Sequence, residues 1–116
     1  MVPQTRLATP DDVRQARSPG TRYRHYAPQA QVILVDTPQA AQPHPQHAYI
    51  GLASPTHPEV FGLCCVCPDV ATYAYELFDF FRRSDAAGCK RIYAQRVPRI
   101  GLGLALMDRL ERAAAK

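Results

Sequence analysis

Beyond residue 30 the chain is ruled by the order of its apolar segments: three short runs, a helical stripe, a fourth run and a second helical stripe. Residues 31–36 (QVILVD), 48–54 (AYIGLAS), 60–67 (VFGLCCVC) and 90–95 (KRIYAQ) predict strands. The first three are nearly continuous in apolar residues, the pattern of strands covered on both faces. Residues 69–87 predict the stronger helix, because Thr72, Glu76, Asp79 and Arg83 recur at helical spacing while Val70, Ala74, Leu77, Phe78 and Phe81 line the other side. Pro68 and Asp69 start it and Gly88 ends it. The last helix, over 102–115, buries Leu106, Met107, Leu110, Ala113 and Ala114 and leaves Asp108, Arg109, Glu111 and Arg112 outside. An ending of strand, helix, strand, helix requires an α/β architecture with a mostly parallel sheet of about four strands.

One connection is too short for the usual device. Only eleven residues separate Asp36 from Ala48, three of them proline (Pro38, Pro43, Pro45), whereas a parallel crossover normally takes about a dozen and a helix. The expectation is an extended or barely helical crossover and a thin covering on that face of the sheet. The length of 116 residues fits one small domain and excludes a TIM barrel or a two-halved dinucleotide-binding domain. No apolar run nears the roughly 20 residues of a membrane span, and the first twelve residues hold no signal-peptide core, so no membrane and a cytoplasmic location are expected. Cys64, Cys65, Cys67 and Cys89 lie in apolar surroundings and read as reduced core thiols.

Residues 1–30 read as an arm preceding the domain at 31–116. They carry five arginines and four prolines, and their few large aliphatics cannot build a core. A short helix started by Thr9 and Pro10 must stop before Ser18, Pro19 and Gly20. There follows Arg22-Tyr23-Arg24-His25-Tyr26, two guanidinium groups, an imidazole and two phenols in five residues. Arginine forks match phosphate oxygens and tyrosine stacks on bases, so this segment has the chemistry to grip a nucleotide. The same composition also suits a solvated linker pinned by its tyrosines.

The run from Ser18 to Pro28, SPGTRYRHYAP, resembles the linker motif SPGMKYRHYAP of the long, two-domain threonylcarbamoyl-AMP synthase family. The similarity continues through residues 30–35, the helix with Leu77, Phe78 and Asp85, and the ending GLGLALMDRL from Gly101 to Leu110. In that family a YrdC-type catalytic domain is followed by this linker and a small, Rossmann-like, three-layer C-terminal domain. The resemblance implies a complete enzyme that condenses L-threonine, bicarbonate and ATP, with magnesium, to threonylcarbamoyl-AMP and pyrophosphate, a nucleotidyl transfer in the making of tRNA threonylcarbamoyladenosine. It implies that Arg22, Tyr23, Arg24, His25 and Tyr26 fold over the nucleotide, that Ser18, Pro19, Gly20 and Pro28 form the hinge, and that the partner is the catalytic domain, in cis or in trans. Arg22 stands for the usual lysine and Thr21 for the usual methionine, and nothing before Ser18 resembles the catalytic segments. The expectation is an accessory domain, inactive alone and holding no catalytic residue, cofactor or metal of its own. The alternative is a module that has left the synthase and binds a small ligand or a protein.

Other candidates read as structural. Gly101-Leu102-Gly103 lacks the third glycine of a dinucleotide fingerprint and reads as a helix start. Cys64, Cys65 and Cys67 lack a paired CxxC, and alternation sends Cys65 and Cys67 to one face and Cys64 to the other. His44, His47 and His57 fall in proline-rich surface loops. Glu76, Asp79 and Arg83 read as solvated ion pairs, and Arg82, Arg83, Lys90, Arg91, Arg96 and Arg99 as solubilising charge with direct tRNA contact left open. Tyr73, Tyr75, Phe78, Phe80 and Phe81 are more aromatics than one helix face needs to bury, which leaves some for an interface.

Overall fold

The computed structural model describes residues 27–115. Four strands, β1 (Gln31–Val35), β2 (His47–Gly51), β3 (Leu63–Val66) and β4 (Arg91–Gln95), form one sheet in the order β1-β4-β2-β3. Every pairing is parallel; Ile92 on β4 stands between Val32 on β1 and Ala48 on β2. The two helices are α1 (Val70–Ala86) and α2 (Leu102–Ala114).

Both helices lie on the same face. Val32, Ala48, Ile50, Ile92 and Ala94 point into a core completed by Leu77, Phe80 and Phe81 of α1 and Leu106, Met107, Leu110 and Ala113 of α2. The opposite face gathers Val35, Tyr49 and Tyr93 under Ala41 and Phe61. Among the described residues no long helix covers it. The crossovers on that side contain single 3₁₀ turns, Pro38–Ala40 and Pro58–Val60, so the third layer is as thin as the eleven-residue connection requires.

The structure corrects three local expectations. β3 is an edge strand open on the thin side, where Cys64 is exposed and Val66 is 46% exposed, so it is not covered on both faces. The cover formed by Ala41 and Phe61 reaches Val35, Tyr49 and Tyr93 on β1, β2 and β4 and takes in no residue of β3. His47 is not a loop residue but a buried member of β2: its Nδ1 lies 2.8 Å from the Gln42 carbonyl, and its ring meets Tyr93 edge-on at 5.5 Å. Lastly, the buried side of α1 is turned by about one residue, with Tyr73 and Phe80 fully buried and Val70, Ala74 and Phe78 only half-buried. The reason is polar: the Tyr73 hydroxyl donates to the Gln95 carbonyl at 2.7 Å, which lets a phenol enter the core with its oxygen satisfied.

Helix ends follow their sequence signals. Asp69 caps α1, its Oδ1 accepting from the Thr72 amide at 2.8 Å, and that bond holds its carboxyl below the usual range. Gly101 is the N-cap of α2, and two residues on Gly103 packs so closely that a Cβ would lie 2.1 Å from the Pro98 carbonyl oxygen. The glycine pair therefore serves a tight helix entry, as its incomplete fingerprint predicts.

Candidate functional site

Of the residues that the arm contributes, Ser18, Pro19, Gly20, Arg22, Tyr23, Arg24, His25 and Tyr26 lie outside the described residues, and Pro28 lies within them. Pro28 is fully buried. The next two amides are clasped by one side chain: Gln29 N donates to Asp85 Oδ1 and Oδ2 at 3.0 and 3.1 Å, and Ala30 N donates to Oδ1 at 3.3 Å. Gln31 N then enters the sheet by donating to the Lys90 carbonyl at 3.0 Å. The chain thus reaches β1 from a fixed point at the amino edge of the sheet. A recess of about 360 Å³ opens there, lined by Gln29, Ala30, Asp85, Gly88, Cys89 and Lys90. Burial, and secondarily the Asp85 carboxylate, pushes the Cys89 thiol up. The arrangement anchors a chain.

Asp85 escaped sequence reasoning except as part of the family likeness. A signal was nevertheless present. It lies in the last turn of α1, where the helix dipole disfavours a carboxylate. An acid in that place needs a compensating partner, and the two backbone amides at the root of the arm supply one.

At the carboxyl edge a second hub joins three segments. Gln95 Oε1 accepts from the Leu52 amide at 2.7 Å, the Ala53 amide at 3.1 Å and the Tyr49 hydroxyl at 3.4 Å, while Tyr49 also donates to the Ala53 carbonyl at 2.6 Å. Burial raises the Tyr49 and Tyr73 phenols well above their ordinary value, so both remain donors. The loop after β2 is thereby locked to β4. Nothing in the run KRIYAQ marks Gln95 for this part, because its partners, two backbone amides and the Tyr49 hydroxyl, are brought near only by the sheet order.

The remaining candidates keep structural parts. Cys65 and Cys67 share a face with their sulfurs 3.7 Å apart, and burial pushes the Cys67 thiol up to about 12. Among the described residues no three His, Cys, Asp or Glu side chains gather as a metal site would require. Asp79 pairs with Arg82 at 3.3 Å and Arg83 at 3.0 Å, Arg96 with Asp36 at 3.1 Å, and Arg99 with Glu111, all at exposed positions. Glu59 takes His57 at 3.5 Å. These pairings absorb much of the basic set that the sequence left open for tRNA.

Comparison with known proteins gives the family. The model of the threonylcarbamoyl-AMP synthase C-terminal domain matches residues 2–115. A threonylcarbamoyl-AMP synthase of Pyrococcus abyssi (strain GE5 / Orsay) is 35% identical over 114 residues, covering 87% of this chain and 33% of the relative. The chain thus spans about a third of that relative's length. No solved structure matches.

Proposed function

The chain belongs to the threonylcarbamoyl-AMP synthase C-terminal domain family, and from that premise we propose that it is the accessory domain of an L-threonylcarbamoyladenylate synthase. Its arm closes over the ATP site of a YrdC-type catalytic domain, through Arg22, Tyr23, Arg24, His25 and Tyr26. The catalytic domain, supplied in cis or in trans, brings L-threonine, bicarbonate and ATP, and the cytoplasmic product serves tRNA modification. The observation that carries this reading is the Asp85 clasp on Gln29 and Ala30. A segment that must close over a cleft works only from a rigid root, and here the root is tied to the end of a helix.

This chain's own share of the chemistry is binding and exclusion of water. Arginine forks from the arm neutralise phosphate oxygens, and a closed arm keeps water from a reactive acyl adenylate.

The test mixes the chain with a single-domain synthase and measures pyrophosphate release and ATP affinity. Tighter ATP binding that is lost with Arg24→Ala or Tyr26→Ala is expected; no change in either quantity, with no complex formed, overturns the reading. A second reading, a protein-binding module, is favoured by one observation. Ile100, Leu102 and Leu104 are 76%, 59% and 56% exposed at the carboxyl edge, where parallel sheets commonly bind their partners. Under it the arm substitutions leave binding intact and Leu102→Asp abolishes it.

A further inference from the structure

Two thiols on the helix-covered face of the sheet take no part in the arm's anchorage or in the Gln95 hub. Cys65 sits on β3, and Cys67 is the first residue beyond its end. Both pack toward the core under the helices, Cys67 buried and Cys65 half-buried. Their sulfurs stand 3.7 Å apart. A disulfide holds its sulfurs about 2.05 Å apart, so the pair is about 1.7 Å short of a bond.

The backbone allows that closure at little cost. Two residues of extended strand span about 6.6 Å, near the upper limit of about 6.8 Å for the Cα atoms of a disulfide, so the bond needs a slight kink at Val66. Val66 is where the fold resists a kink least. It belongs to an edge strand, pairs with Gly51 on its one inner side, and is 46% exposed. Pro68 favours an extended Cys67, which keeps that side chain on the face of Cys65.

The two thiols are unequal. Burial first, then the hydrogen bond with Cys65 and the Glu76 and Asp69 carboxylates, pushes Cys67 up to about 12. Cys65, half-buried on the edge strand, is the thiol that a reagent meets first.

We propose that Cys65 and Cys67 form a reversible dithiol switch, closed across Val66 by exchange with a small disulfide. The Cys65 sulfur, as thiolate, attacks one sulfur of the reagent and breaks its S–S bond; the first thiol leaves with the Cys65 proton. The Cys67 sulfur then attacks Cys65 in this mixed disulfide, and the second thiol leaves with the Cys67 proton. The chain's two thiols give up two electrons, which the reagent takes up in becoming two thiols. Proximity makes the second step intramolecular and offsets the scarcity of Cys67 thiolate. The kink loads the bond from the Cys67 amide to the Gly51 carbonyl, 2.8 Å long and just ahead of the Asp69 cap of α1. Closure therefore loosens the end of β3. The proposal is independent of the reading of the arm.

The test uses the full chain with the exposed Cys64→Ala, reduced and then treated with hydroxyethyl disulfide. Mass spectrometry is expected to show Cys65 and Cys67 losing their thiols together, a mass lower by two hydrogens with no reagent attached, and full recovery with dithiothreitol. Trypsin separates Cys89 from the pair, so its thiol is counted apart. Adding Cys67→Ala stops the reaction at a mixed disulfide on Cys65, and adding Cys65→Ala slows the reaction of Cys67 by roughly tenfold or more. Circular dichroism of each reduced variant verifies the fold, and the Cys64→Ala chain decides the bond without either addition. Hydrogen exchange at the Cys67 amide is expected to quicken on closure and recover on reduction. Both thiols retained, a reaction that ends at the mixed disulfide, a bond to Cys89 or between chains, or Cys67 reacting as fast without Cys65 overturns the proposal. Unchanged exchange at Cys67 after closure overturns its role as a switch.

Discussion

Gly51 sits where the carboxyl edge is most crowded: a Cβ there would lie 2.5 Å from the Tyr49 hydroxyl oxygen and 2.7 Å from Gln95 Cβ. Gly51→Ala is expected to cost about 1–3 kcal/mol by forcing the hub apart, read as a lower urea midpoint at unchanged slope. The buried acids of this region also set an alkaline limit. Burial holds the folded Cys67 thiol at about 12, against an ordinary value of 9.0, and raises the Tyr49 and Tyr73 phenols further. Below pH 9 both folded and unfolded thiols keep their protons and stability is unaffected by them. Above it the unfolded chain loses protons that the folded chain retains, so stability falls as pH rises toward 12. Denaturation midpoints between pH 8 and 11 are expected to decline, and Cys67→Ala to flatten the first part of the decline. At this scale the sequence was only partly legible. The stripe rule placed Leu77 and Phe81 inside but missed Tyr73, because a hydroxyl is tolerable in a core only if a carbonyl waits for it, and Gln95 lies 22 residues away.

Among the elements, α1 has three separate duties: its inner face fills the core, its outer face displays Tyr75, and its last turn holds the root of the arm through Asp85. Asp85→Ala removes the acceptor of two amides and is expected to cost about 1–2 kcal/mol, with loss of hydrogen-exchange protection at Gln29 and Ala30. Unchanged protection at those amides would show that strand pairing, and not the carboxylate, fixes the root. For α2, Leu110→Ala empties a fully buried position and is expected to cost 2–5 kcal/mol, roughly the range for such truncations, read from thermal and chemical denaturation. Elements were the most legible level. All four strands and both helices stand where the apolar runs and the 3.6-residue stripes place them, since each stripe reports burial against a single sheet face. The openness of β3 was not legible: VFGLCCVC reads the same whether its outer side meets a helix, a loop or water, and the sheet order decides which.

In the molecule as a whole, the described residues form a sheet with two edges, β1 and β3, and two inner strands, β4 and β2, the latter buried along its whole length. Amides of Ile92, Tyr93 and Ala94 are expected to exchange at the rate of global unfolding, and those of β3 well before them, measured by native-state hydrogen exchange. Equal protection in both strands would mean that the open side of β3 is covered in solution. The parallel architecture was legible from the order of strand and helix signals, but the interleaving of β4 between β1 and β2 was not, because it depends on which crossover can reach over the helices. That interleaving has a consequence for the chain as it is synthesised. β1 and β2 are not neighbours; they are joined only through the strand that emerges last. Until residue 95 has left the ribosome, the earlier strands have no common partner, and the pairings that close the sheet are all long-range. The sheet therefore closes late in synthesis, when β4 joins β1 to the β2–β3 pair.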